Sequence, residues 1–476
     1  MQVLAFPTKS KSSAQAGSDW RAEFFGSLDK LLDKMEEGCR MEKLWDMTRA
    51  ITDHKPDLLG QLMLGFVNRS HAELMDQEYC DCPKCRTKLK SRGKRRREVE
   101  THHGKFALSR PYFYCVHCKE GFYPLDEALG LSVETKQYDV DDLGAWLASE
   151  LPFETAEETY RRFTGQPLSA HRIHECTNDI AGNLGILDLC PTKEEIEEKV
   201  ASLKADRHRR PVMMLAIDGA HAPTRPEPSP RNSKRGKGEY REIKGFRLYL
   251  IDSHETSHLI SWHQIGTDEE LAAALQTIKE AGLVPERSVR LCVVADGAPW
   301  IWNRTKEIFP TAKQVLDYYH CSEHLHELAA AQYGKETLKG REWVDSALTR
   351  LFHNQKTHVI AGIKRMKAAS PEAEKKIEST VLYLTKHKDR LDYGAAKRGG
   401  YHIGSGAIES ANKFIGHVRL KRSGAWWYPT NANNILKLRC AKYNGTYDKV
   451  IEVYKRREQE KLYPKTPSST ADDPLS

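Results

Sequence analysis

The spacing of apolar residues divides the chain into stretches of different period. From Trp20 to about Leu74 apolar positions recur at helical intervals: Phe24, Leu28, Leu31 and Leu32, then Leu59, Leu62 and Phe66. The segment 80–125 breaks that period with cysteines, a dense basic run and strand-like pieces, and residues 137–187 return to helix. The stretch 191–210 is a charged helix or linker ending in Arg207-His208-Arg209-Arg210. The period then switches. VMMLAID (212–218), GFRLYLID (245–252) and SHLISWHQI (257–265) predict three strands, and EELAAALQTIKEAG (269–282) predicts an amphipathic helix. VRLCVVAD (289–296) predicts a buried strand and AKQVLDYY (312–319) a further short one. Residues 321–390 predict helix throughout, and a Gly-rich break, KRGGYHIGSGAIES (397–410), leads into a final long helix. Residues 1–18 and the tail after Pro464 have no apolar period and predict disorder.

Composition sharpens this in three places. A chain of 476 residues, at roughly 150 per domain, predicts about three domains. The net charge of +8 is mild for that length, so where the cations cluster matters more than their total. No apolar run approaches the length of a membrane span, and MQVLAFPTKSKSSAQAGSDW lacks the pattern of a secretory signal. Eleven cysteines, an odd count, in a chain read as intracellular are then expected to be thiols, and clustered ones metal ligands.

Such a cluster is present. Cys82-x-x-Cys85 and Cys115-x-x-Cys118 are two knuckles able to present four thiolates to one Zn²⁺ as a zinc ribbon. The intervening residues 86–114 are longer than a compact finger and fit two strands joined near His103-Gly104. Cys80 lacks the spacing and is left out. Between the knuckles, Arg86, Lys88, Lys90, Arg92, Lys94, Arg95, Arg96 and Arg97 form a like-charge block too dense to pack inward, suited to phosphate contacts or to a solvated loop. Tyr112, Phe113 and Tyr114 fit stacking on bases less well than the ribbon's own strands.

FETAEETYRRFTG (153–165) and SAHRIHECTNDIAGNL, with Ser169 as N-cap, predict two helices around a brief Gly/Pro turn. They form either a helix-turn-helix, with His171, Arg172 and His174 facing DNA, or an ordinary helical hairpin.

Three carboxylates stand out by position. Asp218 and Asp296 each follow an apolar run and precede Gly, where a strand is expected to end at the rim of a sheet. Glu409 falls near the start of a helix whose buried face is expected to carry Ile408, Ala411, Ile415 and Val418; a surface pair with Lys413 is the alternative. Three acids suit two hard divalent cations, about 3.5–4 Å apart, in an in-line displacement at phosphorus.

With these residues in view, the order of strands and helices resembles the RNase H-like fold of DDE transposases. The span from Asp296 to Glu409 is too long for a compact transposase core, and the helical stretch before Glu409 accounts for the excess, as in Mutator-like transposases. The chain is similar to the ISKra-type bacterial insertion-sequence transposases over residues 80 to 445. The resemblance rests on the first Cys knuckle with its basic run, RPYFYCVHC, GFYPLDEALGL, AIDG, ADGAPWIW, VLDYYHCSEHL and GSGAIES with its downstream Arg/Lys helix. Ala220-His221 after the first Asp-Gly is a minor departure.

The resemblance implies an α/β fold: an RNase H-like catalytic core with a helical insertion, preceded by a zinc ribbon and helical DNA-binding segments. It implies Asp218, Asp296 and Glu409 as catalytic acids, two Mg²⁺ as catalytic cofactors and one structural Zn²⁺. It also puts Asp317 and His320 near the catalytic centre, where Asp317 is either a further ligand or a helix cap. The DNA contacts expected are Arg92, Lys94, Arg95, Arg96 and Arg97 on the ribbon, and Lys413, Arg419, Lys421, Arg422 and Trp426 after Glu409. The loop 223–240, with Arg225, Arg231, Lys234, Arg235, Lys237 and Arg241, is either a DNA contact or disordered. Paired Trp426-Trp427 are stacking or core residues. The domains expected are 1–18 disordered, 19–78 helical, 79–130 ribbon, 131–210 helical, 211–320 first part of the core, 321–396 insertion, 397–460 last helices and 461–476 tail. The implied activity is cleavage of transposon ends and strand transfer into target DNA. The implied partners are double-stranded DNA at terminal inverted repeats and target, and further copies of the chain. The implied location is the cytoplasm, on chromosomal or plasmid DNA. A domesticated, catalytically silent DNA-binding protein is the alternative.

Overall fold

A computed structural model describes residues 20–38, 42–204, 209–227, 236–252 and 255–463. The disorder expected in 1–18 and after Pro464 lies outside them. The chain forms two compact units, one of Met1–Thr177 with Ile451–Ser476 and one of Asn178–Val450. No described helix is long and apolar enough to cross a membrane.

In the first unit, strands β1 (Tyr79–Asp81) and β2 (Lys88–Lys90), β3 (Lys94–Glu100) and β4 (Lys105–Pro111), and β5 (Phe113–Cys115) and β6 (Glu120–Phe122) form three antiparallel pairs. The turn of the β3–β4 hairpin is where His103-Gly104 predicts it. The long helix Leu44–Ser70 crosses that turn backbone to backbone: a Cβ on Gly60 would lie 1.9 Å from the Lys105 carbonyl oxygen, and one on Gly104 2.1 Å from that of Pro56. Val99, Phe106, Leu108, Leu125 and Leu131 fill the core beneath. A second core of Val140, Ala148, Ala156, Tyr160, Leu168 and Ile173 joins the helices Tyr138–Glu150, Phe153–Thr164 and Ala170–Gly182. Gly165 ends the second of these at φ 76°, and the Ser169 hydroxyl accepts the Arg172 N–H at 3.2 Å. His171 is exposed, whereas Arg172 turns to Asp141 at 2.9 Å and His174 packs edge-on to Phe153. Arg172 is thus engaged within the unit rather than facing outward, because Asp141 is a buried carboxylate that needs a cation.

The return of Ile451 onward to this unit differs from the expected stretch 397–460. Its cause is in the helix Tyr447–Leu462 and the residue after it. Tyr454 donates to Asp141 at 3.2 Å, Gln459 to the Gly130 carbonyl at 3.3 Å and Tyr463 to the Leu131 carbonyl at 3.2 Å.

The second unit is built on five strands, β7 (Val212–Thr224), β8 (Glu239–Ile251), β9 (Thr256–Ile265), β10 (Arg290–Ala295) and β11 (Lys313–Leu316), in the order β11-β10-β7-β8-β9. The first three in sequence pair antiparallel; β10 and β11 add in parallel on the other side of β7. The parallel steps need crossovers, and the helices Asp268–Glu280 and Pro299–Ile308 supply them. Thr267 and Glu270 form the capping box that starts the first. The first six residues of β7 are all buried, as in a strand covered on both faces. The helices Tyr318–Tyr333, Leu338–Phe352, Lys356–Lys364 and Pro371–Lys386 fill the stretch expected to be helical.

Four expectations change here. β7 does not end at Asp218 but runs on to Thr224, because β8 pairs with it throughout and Ala220 and Ala222 point into the core. The outer residues of the basic loop 223–240 therefore belong to strands, and 228–235 lie outside the described residues. β11 stops at Leu316, since Asp317 begins a helix. The final helix is interrupted: Gly406–Ala411, a π-turn Asn412–His417 and Val418–Leu420 are followed by a loop and then the helix Pro429–Asn444.

Candidate functional site

The four cysteines converge. Cys82, Cys85, Cys115 and Cys118 offer sulfur atoms that all lie within 4.8 Å of one another. The Cys85–Cys115 and Cys82–Cys118 separations are 3.5 and 3.8 Å. Tetrahedral Zn²⁺ with bonds of about 2.3 Å implies sulfur separations of about 3.8 Å. Each knuckle closes on a residue in the left-handed region, Arg86 at φ 61° and Lys119 at φ 56°, immediately after its second cysteine. The donor set therefore fits a structural metal such as zinc. Cys80 stays outside the set, packed against the apolar cluster of Cys82, Leu89, Phe113 and Cys115.

The basic run is only partly outward. Arg92, Lys94, Arg95 and Arg96 are exposed. Lys94 pairs with Asp76 at 2.7 Å, and Arg92 and Arg95 lie over Tyr114 and Tyr112. Arg97 corrects the expectation that the block cannot pack inward. Its guanidinium reaches Asp126 at 2.8 Å, beside Arg110 on the same carboxylate at 2.6 Å.

In the second unit two of the three acids lie on neighbouring strands, while among the described residues only the four cysteines bring three or more ligand atoms within 4.8 Å of one another. Asp218 lies within β7, next to Ile217, which pairs with Ala295; Asp296 directly follows Ala295 on β10. The two carboxylates thus leave neighbouring parallel strands at the same level. Asp218 is half-buried, and its carboxyl is pushed up to about 6, chiefly by burial; the charges of Asp296 and Glu409 add to the rise, while the Gly219 N–H and His320 oppose it. Glu409, on the helix Gly406–Ala411, is exposed, and its Oε1 accepts the Ser405 hydroxyl at 2.7 Å. No ion pair joins Glu409 to Lys413 among the described residues.

Asp317 is wholly buried and acts as a junction. Its backbone N–H donates to the Ala295 carbonyl at 2.7 Å, one carboxylate oxygen accepts the His320 N–H at 2.8 Å, and the other accepts the Ser405 N–H. It caps the helix Tyr318–Tyr333 and ties the end of β10 to the segment leading into Glu409. The helix-cap reading is the one the hydrogen bonds follow. His320, on the first turn of that helix, lies 3.4 Å from Glu323.

Beyond Glu409, the π-turn shifts the helical register by a residue. Ile408, Ala411 and Ile415 are buried as expected, but Val418 is 44% exposed and Arg419 is buried in its stead. Arg419 lies over the Trp427 ring at 4.7 Å, so this expected DNA contact faces the core. Lys413, Lys421 and Arg422 are exposed. Trp427 is buried and donates to the Leu420 carbonyl at 3.1 Å, whereas Trp426 is 40% exposed, edge-on to an exposed Tyr240.

Sequence reasoning missed Ser405, Asn412 and His263. Asn412 Nδ2 donates to Asp218 Oδ2 at 2.8 Å, and Asn412 Oδ1 meets His263 Nε2 at 2.9 Å. Asn412 carried a signal, one helical turn after Glu409; His263, inside a strand, carried none.

No family model and no curated protein matches the chain. Among solved structures it is similar to the Drosophila P element transposase strand transfer complex. The identity is 11%, over 68% of this chain and 81% of that one, with a TM-score of 0.26.

Proposed function

We propose that this chain is a DNA transposase, and that its sheet is an RNase H-like core carrying Asp218, Asp296 and Glu409 as catalytic acids. One observation carries the reading. Two carboxylates leave adjacent parallel strands side by side, and the Asp218 carboxyl is pushed up chiefly by burial, with the charge of Asp296 and, least, that of Glu409 adding to the rise. Placing Asp218 and Asp296 side by side in a half-buried place is costly unless a cation is to be held there. The order β11-β10-β7-β8-β9, with three antiparallel strands and two parallel additions, is that expected of an RNase H-like core.

Asp218, Asp296 and Glu409 are the residues that would hold two Mg²⁺ ions, which when bound would activate the attacking oxygen and stabilise the leaving one. The chain's own residues do the remainder. Asp218 and Asp296 are fixed by strand register, so their spacing is set by the sheet. Asp317 and Ser405 hold the segment that presents Glu409. Lys413, Lys421 and Arg422 line the following turns, where they neutralise phosphates, and Trp426 offers a face to an unpaired base. The four cysteines hold Zn²⁺ and brace a hairpin whose Arg92, Lys94, Arg95 and Arg96 meet DNA backbone. In the first step water displaces a 3′ oxygen at a transposon end; in the second, that 3′-OH displaces a 3′ oxygen in target DNA. Two ends must be joined, so the working form is a homodimer or larger assembly.

The test uses wild type and Glu409→Gln with Mg²⁺, plasmid target and labelled DNA carrying the sequences that flank this gene. Cleavage and joined product from wild type alone, with equal DNA binding, supports the reading. Equal binding with no metal-dependent chemistry in either favours a silent DNA-binding protein.

A further inference from the structure

We infer that Asn412 and His263 are positioning residues for Asp218, joined to it by a directed chain of hydrogen bonds that passes over Gly245. This rests on the reading of Asp218 as a catalytic acid. Asp218, Gly245 and His263 stand opposite one another on β7, β8 and β9. The middle position holds no side chain, and the imidazole lies over it: a Cβ on Gly245 would come within 2.5 Å of His263 Cδ2. Crossing that gap brings Nε2 of His263 to 2.9 Å from Asn412 Oδ1, and Asn412 Nδ2 lies 2.8 Å from Asp218 Oδ2.

The chain has one sense. An ionised carboxylate only accepts, so the Asn412 amide turns its NH₂ toward Asp218. Its oxygen is left for His263, which must then carry its proton on Nε2. The Nδ1 atom of that ring is buried with no hydrogen-bond partner, as suits the bare nitrogen of a neutral imidazole. Both Asn412 and His263 are buried, at 4% and 2% exposure, so neither amide nor ring is free to rotate into solvent. Asp218 Oδ1 meanwhile accepts the Gly219 N–H at 2.8 Å. Each oxygen of Asp218 is therefore held by one donor, and the carboxylate is fixed in one orientation with a lone pair left on each atom. Asn412 opens the π-turn three residues after Glu409, so the residue that orients Asp218 lies about one helical turn beyond another of the acids.

The experiment compares full-length Asn412→Leu, His263→Leu, His263→Gln, Gly245→Ala and Asp218→Asn with wild type. Cleavage rate at saturating DNA, DNA affinity and the ¹⁵N spectrum of the histidine rings are measured. Removing a residue that orients a metal ligand commonly costs about 10–100-fold. Asn412→Leu and Gly245→Ala are expected to lose that much in rate with DNA affinity unchanged. His263→Gln, which keeps an N–H donor, is expected to recover most of what His263→Leu loses, a rescue that packing alone does not give. The slowly exchanging Nε2–H signal of His263 is expected in wild type and lost in Asn412→Leu. Asn412→Leu at the wild-type rate, or an unchanged His263 signal in it, overturns the proposal. If Asp218→Asn is inactive while Asn412→Leu and Gly245→Ala match wild type, this proposal alone fails. If Asp218→Asn cleaves as wild type does, the assignment of the acids fails and takes this proposal with it.

Discussion

Asp126 accepts hydrogen bonds from both Arg97 and Arg110 with all three side chains largely out of solvent. Deleting the shared acid leaves two buried cations uncompensated, at a cost of about 3–5 kcal/mol. Asp126→Ala is therefore expected to lower the urea midpoint of unfolding far more than Asp76→Ala, which frees only the exposed Lys94. Nothing in a run of eight cations marks the one that turns inward; the partner acid is distant in sequence. A second residue-scale effect concerns His263, whose ring is pushed down to about 4 by burial, against the hydrogen bond with Asn412. An unfolded histidine titrates near 6.5, so folding disfavours protonation. The stability owed to the neutral ring is whole above pH 6.5 and is lost as the pH falls toward 4. Denaturant midpoints between pH 7 and 4 should fall steeply in wild type and less steeply in His263→Gln. A protein whose pH dependence is unchanged by that substitution contradicts the assignment.

At the scale of elements, β9 is an edge strand whose free backbone groups are met by amide side chains. Asn433 accepts the Ile265 N–H at 2.8 Å and donates to the Ile265 carbonyl at 3.1 Å; Asn444 does the same at Ser261, at 2.7 and 3.1 Å. The helix Pro429–Asn444 thus covers the edge as a further strand would. Asn444→Leu leaves a buried N–H and C=O unmet, at about 1–3 kcal/mol. It should also promote self-association, read by light scattering during thermal unfolding. The strands themselves were legible, since VMMLAI and RLCVVA are apolar and β-branched enough to name a buried sheet. The length of β7 was not, because Gly219, Ala220 and His221 look like a turn until β8 pairs with them. The π-turn was not legible either: one extra residue leaves no mark in composition, yet it exchanges Val418 for Arg419 at the core.

For the whole molecule, the alternation of strands and helices was enough to anticipate a mixed α/β fold, and the Cys-x-x-Cys spacing the four-cysteine cluster. It did not reveal that the chain returns to the first unit after Val450, because that depends on Tyr454, Gln459 and Tyr463 meeting residues more than half the chain away. If the exposed cations meet DNA as proposed, they set how its binding responds to salt. Lys421→Ala should reduce the slope of log K against log salt by about one without changing stability. Arg419→Ala should instead lower the unfolding midpoint, its guanidinium lying over buried Trp427. Equal salt slopes in Lys421→Ala and wild type would remove that residue from the interface.

If Asp218, Asp296 and Glu409 share one divalent cation site as proposed, the metal there lies close to the backbone at all three positions. Substituting Fe²⁺, with ascorbate and peroxide to generate radicals at the metal, maps the backbone near it by where the chain is cut. Three clusters of cuts are expected, near residues 218, 296 and 409, suppressed by excess Mg²⁺ and lost together in Asp296→Asn. Cuts at one acid only, or the same three clusters surviving in Asp296→Asn, would contradict the shared site.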